Sequence, residues 1–302
     1  MLWVPVTIVA ASAQLARTGI QSSLTGRIGT TGATMVRYLY AIPFALLTLA
    51  VVLVLGDERL ARWTVPAVEW ALAGAVAQIA ATALMLKAMH MRGFAVAYAY
   101  IKTEPIMLAL GGWWLLGDAL PRLAWIGIVL ATLGVIWSAM PRDNGVATLR
   151  GEAIAVALGV VGGALFGLSS LAFRAAILEF NGASPLVAAV QLMAFAVPTQ
   201  SALLMFWLWF ARRRSIALTM AAWRPGLAAG ATSTIAMLFW FIGFALVAAA
   251  YVRTLALIEM PFAALMNHRI SGTPLSRREW TGIALVVVGI ALLMKAVAGS
   301  PP

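Results

Sequence analysis

The sequence predicts an all-α integral membrane protein with ten transmembrane helices in two inverted five-helix repeats, and three observations carry that prediction. The composition is close to hydrocarbon: 63% of the 302 residues are hydrophobic and 10% charged, with a mean hydropathy of +0.96, against roughly 25% charged in an ordinary soluble domain. The apolar residues fall into runs near 2–22, 33–55, 69–89, 95–116, 123–140, 152–173, 185–210, 226–247, 249–267 and 281–298. A spanning helix takes about 20 mainly apolar residues, so ten of them fill about two-thirds of a chain this long. Finally, the chain repeats itself. An offset of 155 residues places Pro43 on Pro198, Glu104 on Glu259, Gly117 on Gly272, Trp125 on Trp280, Gly127 on Gly282 and Gly134 on Gly289, without a gap. Each repeat then holds five helices, over 1–145 and 146–302, and because five is odd the second enters the membrane from the opposite side. Inverted repeats of this kind build two access states around a midplane site.

The first apolar run opens at Met1 with no basic stretch before it and no small-residue cleavage site after it, so it reads as a retained helix. It carries Gln14, Arg17, Thr18 and Gln21 at i, i+3, i+4 and i+7, a polar stripe that points to a wet interior. Arg37 lies near the start of the second run, where snorkelling to the interface competes with an interior role. The fourth run contains "YIKTEPIMLAL", with Lys102, Thr103, Glu104 and Pro105 in otherwise apolar surroundings. Gly127 and Gly134 share a face of the fifth, and Gly282 and Gly289 a face of the tenth. The sixth has Gly159, Gly163 and Gly167 at four-residue spacing, which lets a neighbouring backbone come close. The seventh ends in "FWLWFARRR", an aromatic belt with arginines at the interface, and Trp113 and Trp114 read the same way. Tight connections such as "GDALPR" and "SGTPLSRRE" make successive helices antiparallel.

Glu104 and Glu259 stand near the centres of the fourth and ninth runs. Ionisable groups at that depth cost several kcal/mol unless they face a cavity or a partner, and they mark a pathway. Pro105 and Pro261 follow them and free a backbone carbonyl one turn back, so a kink beside each acid and a polar midplane cavity are expected. Lys102 and Glu104, two positions apart, point to nearly opposite sides of a helix and cannot neutralise each other. Each needs a partner elsewhere, from Arg17, Arg37, Arg174 or Arg253 where a cation is required. The candidates for substrate contact are Gln14, Arg17, Gln21, Arg37, Tyr98, Lys102, Glu104, Trp240 and Tyr251, with core packing the competing role for the aromatics. Glu259 sits between Ile258 and Met260, an apolar setting that raises a carboxyl's proton affinity, so it is the candidate proton carrier; Glu104, beside Lys102, is expected to stay ionised.

The net charge of +11 resides mostly in short hairpins, where lipid headgroups and the positive-inside rule account for it without nucleic acid. Hairpins on one face carry twelve Lys and Arg and those on the other six, which by that rule puts both termini outside. Without cysteine there is no disulfide framework or thiolate chemistry. His90 and His268 lie at helix ends, and no P-loop, zinc spacing or nucleophile motif occurs, so neither an enzyme nor a metal or other cofactor is expected.

The segments "EPIMLALGGWWLLGDALPRLAWIGIVLATLGVI" (104–136) and "EMPFAALMNHRISGTPLSRREWTGIALVVVGIALL" (259–293) resemble the paired EamA-type repeats of the drug/metabolite transporter superfamily. The family's pattern is a mid-helix proline, a Gly-Glu pair, a Leu-Ser turn, and two glycines seven apart. The resemblance covers nearly the whole chain through the duplication. It implies ten helices in two inverted halves, residence in a bacterial inner membrane with both termini inside, and export or exchange of small metabolites, often amino acids. The family's turn glutamate is Asp118 in the first copy and Thr273 in the second, which argues against a transport role for that position. The expectation is a secondary transporter exporting a small organic metabolite, an amino acid or similar zwitterion. Arg17 would meet its carboxylate, and the two glutamates its ammonium or a coupling proton. Two alternatives stand beside it: an exchanger of anionic or phosphorylated metabolites using Arg17, Arg37 and Lys102, and a non-transporting subunit or lipid-handling protein with structural glutamates. The expected partners are the small-molecule substrate, the bilayer and protons, with the protein a monomer or homodimer.

Overall fold

A computed structural model describes residues 1–56, 58–92, 100–139, 149–262 and 276–299, which are helical apart from short connections, with no strand among them. The elements are α1 (Trp3–Leu39), α2 (Ile42–Gly56), α3 (Val65–Arg92), α4 (Glu104–Leu115), α5 (Arg122–Ala139), α6 (Leu149–Leu178), α7 (Pro185–Ala211), α8 (Arg213–Ala221), α9 (Trp223–Leu246), α10 (Ala249–Leu255) with a 3₁₀ turn (Ala256–Ile258), and α11 (Arg277–Ala298). Among the described residues six stretches are long and apolar enough to cross a membrane: Trp3–Gly56, Val65–Met91, Ala153–Leu178, Pro185–Ala211, Trp223–Leu246 and Arg277–Ala298. The protein is an all-α protein with the helices of a multi-pass membrane protein.

Trp3–Gly56 is not one rod. Gly29 has φ 73° and ψ 167°, outside the helical region, and Gln21 Nε2 donates to the Ala33 carbonyl at 2.9 Å. In an unbroken helix residues 21 and 33 would stand about 18 Å apart along the axis, so the chain folds back at Gly29. The second arm continues through a turn at Tyr40–Ala41 into α2. Pro43 follows, and its missing N–H leaves the Leu39 carbonyl without a helical donor.

Helix ends are set locally. Gly117 takes φ 67° after α4, while the Leu116 and Asp118 amides both bond the Gly112 carbonyl at 3.0 Å, a left-handed stop that glycine adopts without strain. Ser184 caps α7 ahead of Pro185, accepting from the Val187 amide at 3.3 Å. "SRRE" at 276–279 forms a capping box on α11, with Ser276 and Glu279 each bonding the other's amide.

Because the helices are apolar nearly all round, their mutual contacts are set by shape rather than by amphipathic faces. Helices α5 and α11 meet through glycines. A Cβ on Gly127 would lie 2.6 Å from the Gly289 carbonyl, one on Gly289 2.6 Å from the Gly127 carbonyl, and Gly134 and Gly282 oppose each other at 2.7 and 2.6 Å. Since 127 faces 289 and 134 faces 282, the two helices run antiparallel. Gly226 and Gly230 of α9 give α1 the same closeness at Tyr40, whose hydroxyl donates to the Thr219 carbonyl at 3.1 Å. Gly163 of α6 faces the Ile101 carbonyl and Gly167 faces Met107 and Glu104, as the glycine spacing in α6 predicts.

The α5–α11 contact generates a direct expectation. Gly289→Val places two methyls against backbone that cannot move aside, and overpacking of this kind costs about 1–3 kcal/mol or more. Gly19 of α1 has open space around its Cα. Thermal unfolding of the purified protein should therefore show a clear drop for Gly289→Val and none for Gly19→Ala.

Candidate functional site

Both glutamates follow a break in their helix. Residues 100–101 are helical, Lys102 and Thr103 form a turn, and α4 begins at Glu104 with Pro105 in its first turn. Pro105 cannot donate to the Ile101 carbonyl. Thr103 Oγ1 instead donates to the Tyr100 carbonyl at 3.1 Å, and the Ile106 amide to the Thr103 carbonyl at 3.2 Å. In the second copy the chain tightens from α10 into the 3₁₀ turn Ala256–Ile258 and becomes α-helical again from Glu259. Under the 155-residue offset, Lys102 and Thr103 fall on Leu257 and Ile258, so the two interruptions coincide.

The breaks bring the two segments' charges together in crossed ion pairs. Arg253 Nε lies 3.0 Å from Glu104 Oε1, and Lys102 Nζ forms an ion pair with Glu259 Oε1. All four residues are between 3% and 6% exposed. Ser170 Oγ of α6 donates to Glu104 Oε1 at 3.0 Å and accepts from Arg253 Nη2 at 3.0 Å, closing a ring of carboxylate, hydroxyl and guanidinium. Gln14 Oε1 accepts from Trp240 Nε1 at 3.0 Å and from Arg253 Nη1 at 3.4 Å. The Arg253 guanidinium lies 4.0 Å above the Trp240 ring centroid, a cation–π contact. Each acid is thus held by the cation of the other copy's segment, and the charges touch one another.

This arrangement sets each candidate among its neighbours. Glu259 has apolar neighbours along its own helix, and Lys102 reaches it from the other copy's segment. Lys102 and Glu104 do need separate partners, as their spacing requires, and Arg253 is the partner of Glu104. Arg174 serves neither: its guanidinium pairs with Asp118 Oδ1 at 3.1 Å and donates to the Phe244 carbonyl at 2.6 Å and to the Val247 carbonyl, fastening the end of α9 to the turn after α4. Arg17 is buried beside Thr18, with Nη2 3.4 Å from Thr18 Oγ1. Arg37 does not snorkel; it is buried, with Nη1 donating to Thr82 Oγ1 at 2.9 Å. Gln21 spans the Gly29 fold, Trp240 and Tyr251 are buried, and Tyr98 lies outside the described residues.

Sequence reading passed over Ser170, Gln78, Thr82 and Gln200. Gln78 and Thr82 stand one turn apart in α3, where Tyr38 Oη donates to the Gln78 carbonyl at 3.3 Å and Gln200 Nε2 to Gln78 Oε1 at 2.8 Å. Two polar side chains at i, i+4 in an apolar run were the available signal. A separate pocket of 370 Å³ opens between α1, α3 and α7, lined by Thr31, Thr34, Val76, Ile79, Leu204 and Trp207 among others, away from the glutamates.

No family model and no curated protein matches the chain. A solved structure, described only as the crystal structure of a protein, is similar to it with a TM-score of 0.68 and 17% identity, covering 96% of this chain and 98% of that one. At that identity the likeness establishes a shared fold over nearly the full length of both chains.

Removing one side of a buried pair leaves the other charge uncompensated, at a cost of roughly 3–5 kcal/mol. Lys102→Met should therefore lower the unfolding temperature strongly, with rescue by Glu259→Gln and none by Glu104→Gln. Arg253→Met should behave in reverse, rescued in part by Glu104→Gln. Rescue of Lys102→Met by Glu104→Gln would contradict the crossed pairing.

Proposed function

We propose that the protein is a secondary transporter of the drug/metabolite type, exporting or exchanging a small carboxylate-bearing organic metabolite, amino acids included, by alternating access in a bacterial inner membrane. The observation that carries this reading is the crossed pairing of Glu104 with Arg253 and of Glu259 with Lys102, across two broken helix segments that match under the 155-residue offset. Broken helices meeting at charged residues are how secondary transporters make a polar site inside an apolar slab.

The reading takes Trp3–Gly56 as two spans folded at Gly29 and counts ten helices, five in 1–145 and five in 146–302. The glycine contacts support an inverted relation between these halves. The offset converts Gly127 opposite Gly289 into Gly282 opposite Gly134, so the contact is self-complementary. Antiparallel equivalents of membrane-crossing helices are related by an axis in the membrane plane; an axis along the normal would leave them parallel.

In this mechanism the charges serve as exchangeable partners. A substrate carboxylate competes with Glu104 for Arg253 or with Glu259 for Lys102, and a substrate ammonium takes the carboxylate released. Desolvated pairs of this kind open only when a replacement partner arrives, because an unpaired charge inside the protein costs several kcal/mol. Substrate binding and release of the contact between the two segments are thereby coupled. A purely structural role for the glutamates gives no solute dependence at all.

Proteoliposomes loaded with a panel of labelled amino acids, keto acids and phosphorylated metabolites provide the test, with flux followed in the presence and absence of a pH gradient. Flux of at least one solute is expected, with Glu104→Gln and Glu259→Gln, normalised to inserted protein, each reducing it by about 10-fold or more, the worth of one charge-assisted contact. A correctly inserted protein that moves none of the solutes would remove the transport reading.

A further inference from the structure

We infer that Arg37 is an anion-binding residue of the transport pathway, and that the solute carries more negative than positive charge: a dicarboxylate, an acidic amino acid or a phosphorylated metabolite. This rests on the transport reading and narrows it to a substrate class.

Arg37 is 2% exposed, its Nη1 donates to the neutral Thr82 hydroxyl at 2.9 Å, and no carboxylate of a described residue lies within ion-pair distance of it. The polar groups around it on α1 and α3 are uncharged: Tyr38, whose ring centroid is 4.9 Å from the guanidinium carbon, together with Gln78 and Thr82. Arg253 is near enough for the two positive charges to repel, and its own counter-ion is Glu104. Among the described residues Glu104 and Glu259 are the only buried acids, and both are held by other cations.

Arginine does not release its proton in proteins, so the charge at Arg37 stays. Burial rules out the usual escape of such a side chain to the headgroup region. A protein that keeps a desolvated guanidinium with only a hydroxyl and an aromatic ring to meet it holds an incomplete anion site, since the planar fork accommodates two oxygens of one carboxylate or phosphate. A zwitterion does not complete it. Its carboxylate at Arg37 would leave its ammonium over, and its two charges exchanged into a crossed pair would leave Arg37 as it was. A solute with surplus negative charge satisfies Arg37 and leaves both crossed pairs balanced.

The inference is tested on purified full-length protein in lipid nanodiscs by thermal unfolding with succinate, inorganic phosphate or glycine as probes. Succinate or phosphate should raise the wild-type midpoint by several degrees through preferential binding to the folded state, and glycine should not. Arg37→Gln should keep or raise the ligand-free midpoint, since it removes an uncompensated charge, and should weaken the response to the anion by about 10-fold or more. A large fall in the ligand-free midpoint of Arg37→Gln would make Arg37 a structural element and overturn the proposal. So would equal anion responses in wild type and variant, a wild-type midpoint unmoved by either anion, or stabilisation by glycine equal to that by succinate. Labelled-succinate flux in proteoliposomes separates this inference from the one it rests on: flux indifferent to Arg37→Gln removes the Arg37 site and leaves transport, whereas Arg37-dependent binding without flux of any panel solute leaves the site and removes transport.

Discussion

The crossed ion pairs between the α4 and α10 segments are the constraint around which the rest of this molecule is arranged. Four charged side chains in an interior of hydrocarbon composition are tolerated only if each finds an opposite charge and its remaining polar atoms find hydrogen bonds. Two continuous helices side by side would hold their side chains at the fixed spacing of the helix. The turn at Lys102–Thr103 and the 3₁₀ turn at Ala256–Ile258 release that spacing just ahead of each acid. Gly163 then lets α6 come within contact of the Ile101 carbonyl at the break, and Ser170, two turns further along α6, reaches the Glu104–Arg253 pair. Backbone irregularity, a small-residue stripe and a buried hydroxyl, which look unrelated along the chain, serve one electrostatic requirement.

The glycine contact between α5 and α11 works from the other side of the same segments. Helix α5 follows α4 through the Gly117 turn, and α11 follows the Glu259 segment in the chain, so the partners that touch through Gly127, Gly134, Gly282 and Gly289 are extensions of the partners that exchange charges. One contact is apolar and made by backbone against backbone; the other is ionic and made by long side chains. The first tolerates almost no change of separation, because dispersion contact is lost over fractions of an ångström. The second acts through side chains long enough to keep their charges together over a range of separations. A rigid apolar seam thus lies beside a more compliant ionic one.

The apolar runs, their tight connections and the internal repeat were legible in the sequence because they depend on composition and spacing alone. Helix positions followed the hydropathy runs closely: α7 at Pro185–Ala211 against 185–210, and α5 at Arg122–Ala139 against 123–140. The reversal in the early chain was legible as the polar, Gly-rich stretch between the runs 2–22 and 33–55, but its form was not: the chain stays helical up to Gly29 and turns back there. At the site, residue types and depth identified Glu104, Glu259, Arg17 and Lys102 as interior, left Arg37 between the interior and the interface, and Pro105 and Pro261 pointed to irregular backbone. The pairing itself was not readable. Local neighbours suggested that Glu259 was the apolar acid and Glu104 the charged one, whereas the decisive neighbours came from other helices, Lys102 for the first and Arg253 for the second. Three-dimensional proximity of residues 150 positions apart leaves no trace in a single sequence except where a repeat announces it, and the repeat announced the acids alone.

That last point carries the asymmetry of the site. The duplication reproduces the two glutamates and the two breaks, but not the cations: Lys102 aligns with Leu257, and Arg253 with Tyr98. The charges that answer the acids are therefore not reproduced by the repeat, and they differ in kind. Arg253 is a planar fork held by a carboxylate, the Ser170 hydroxyl and the Gln14 amide, with its face on Trp240, so its orientation is fixed by four groups at once. Lys102 presents a compact ammonium on a flexible stem, which hydrates strongly and keeps its charge interaction over a range of directions. A contact at Arg253 must satisfy a geometry, and a contact at Lys102 need only satisfy a charge. The two segments thus hold one exacting and one permissive contact, the Glu104–Arg253 pair fixing a direction and the Lys102–Glu259 pair only a charge.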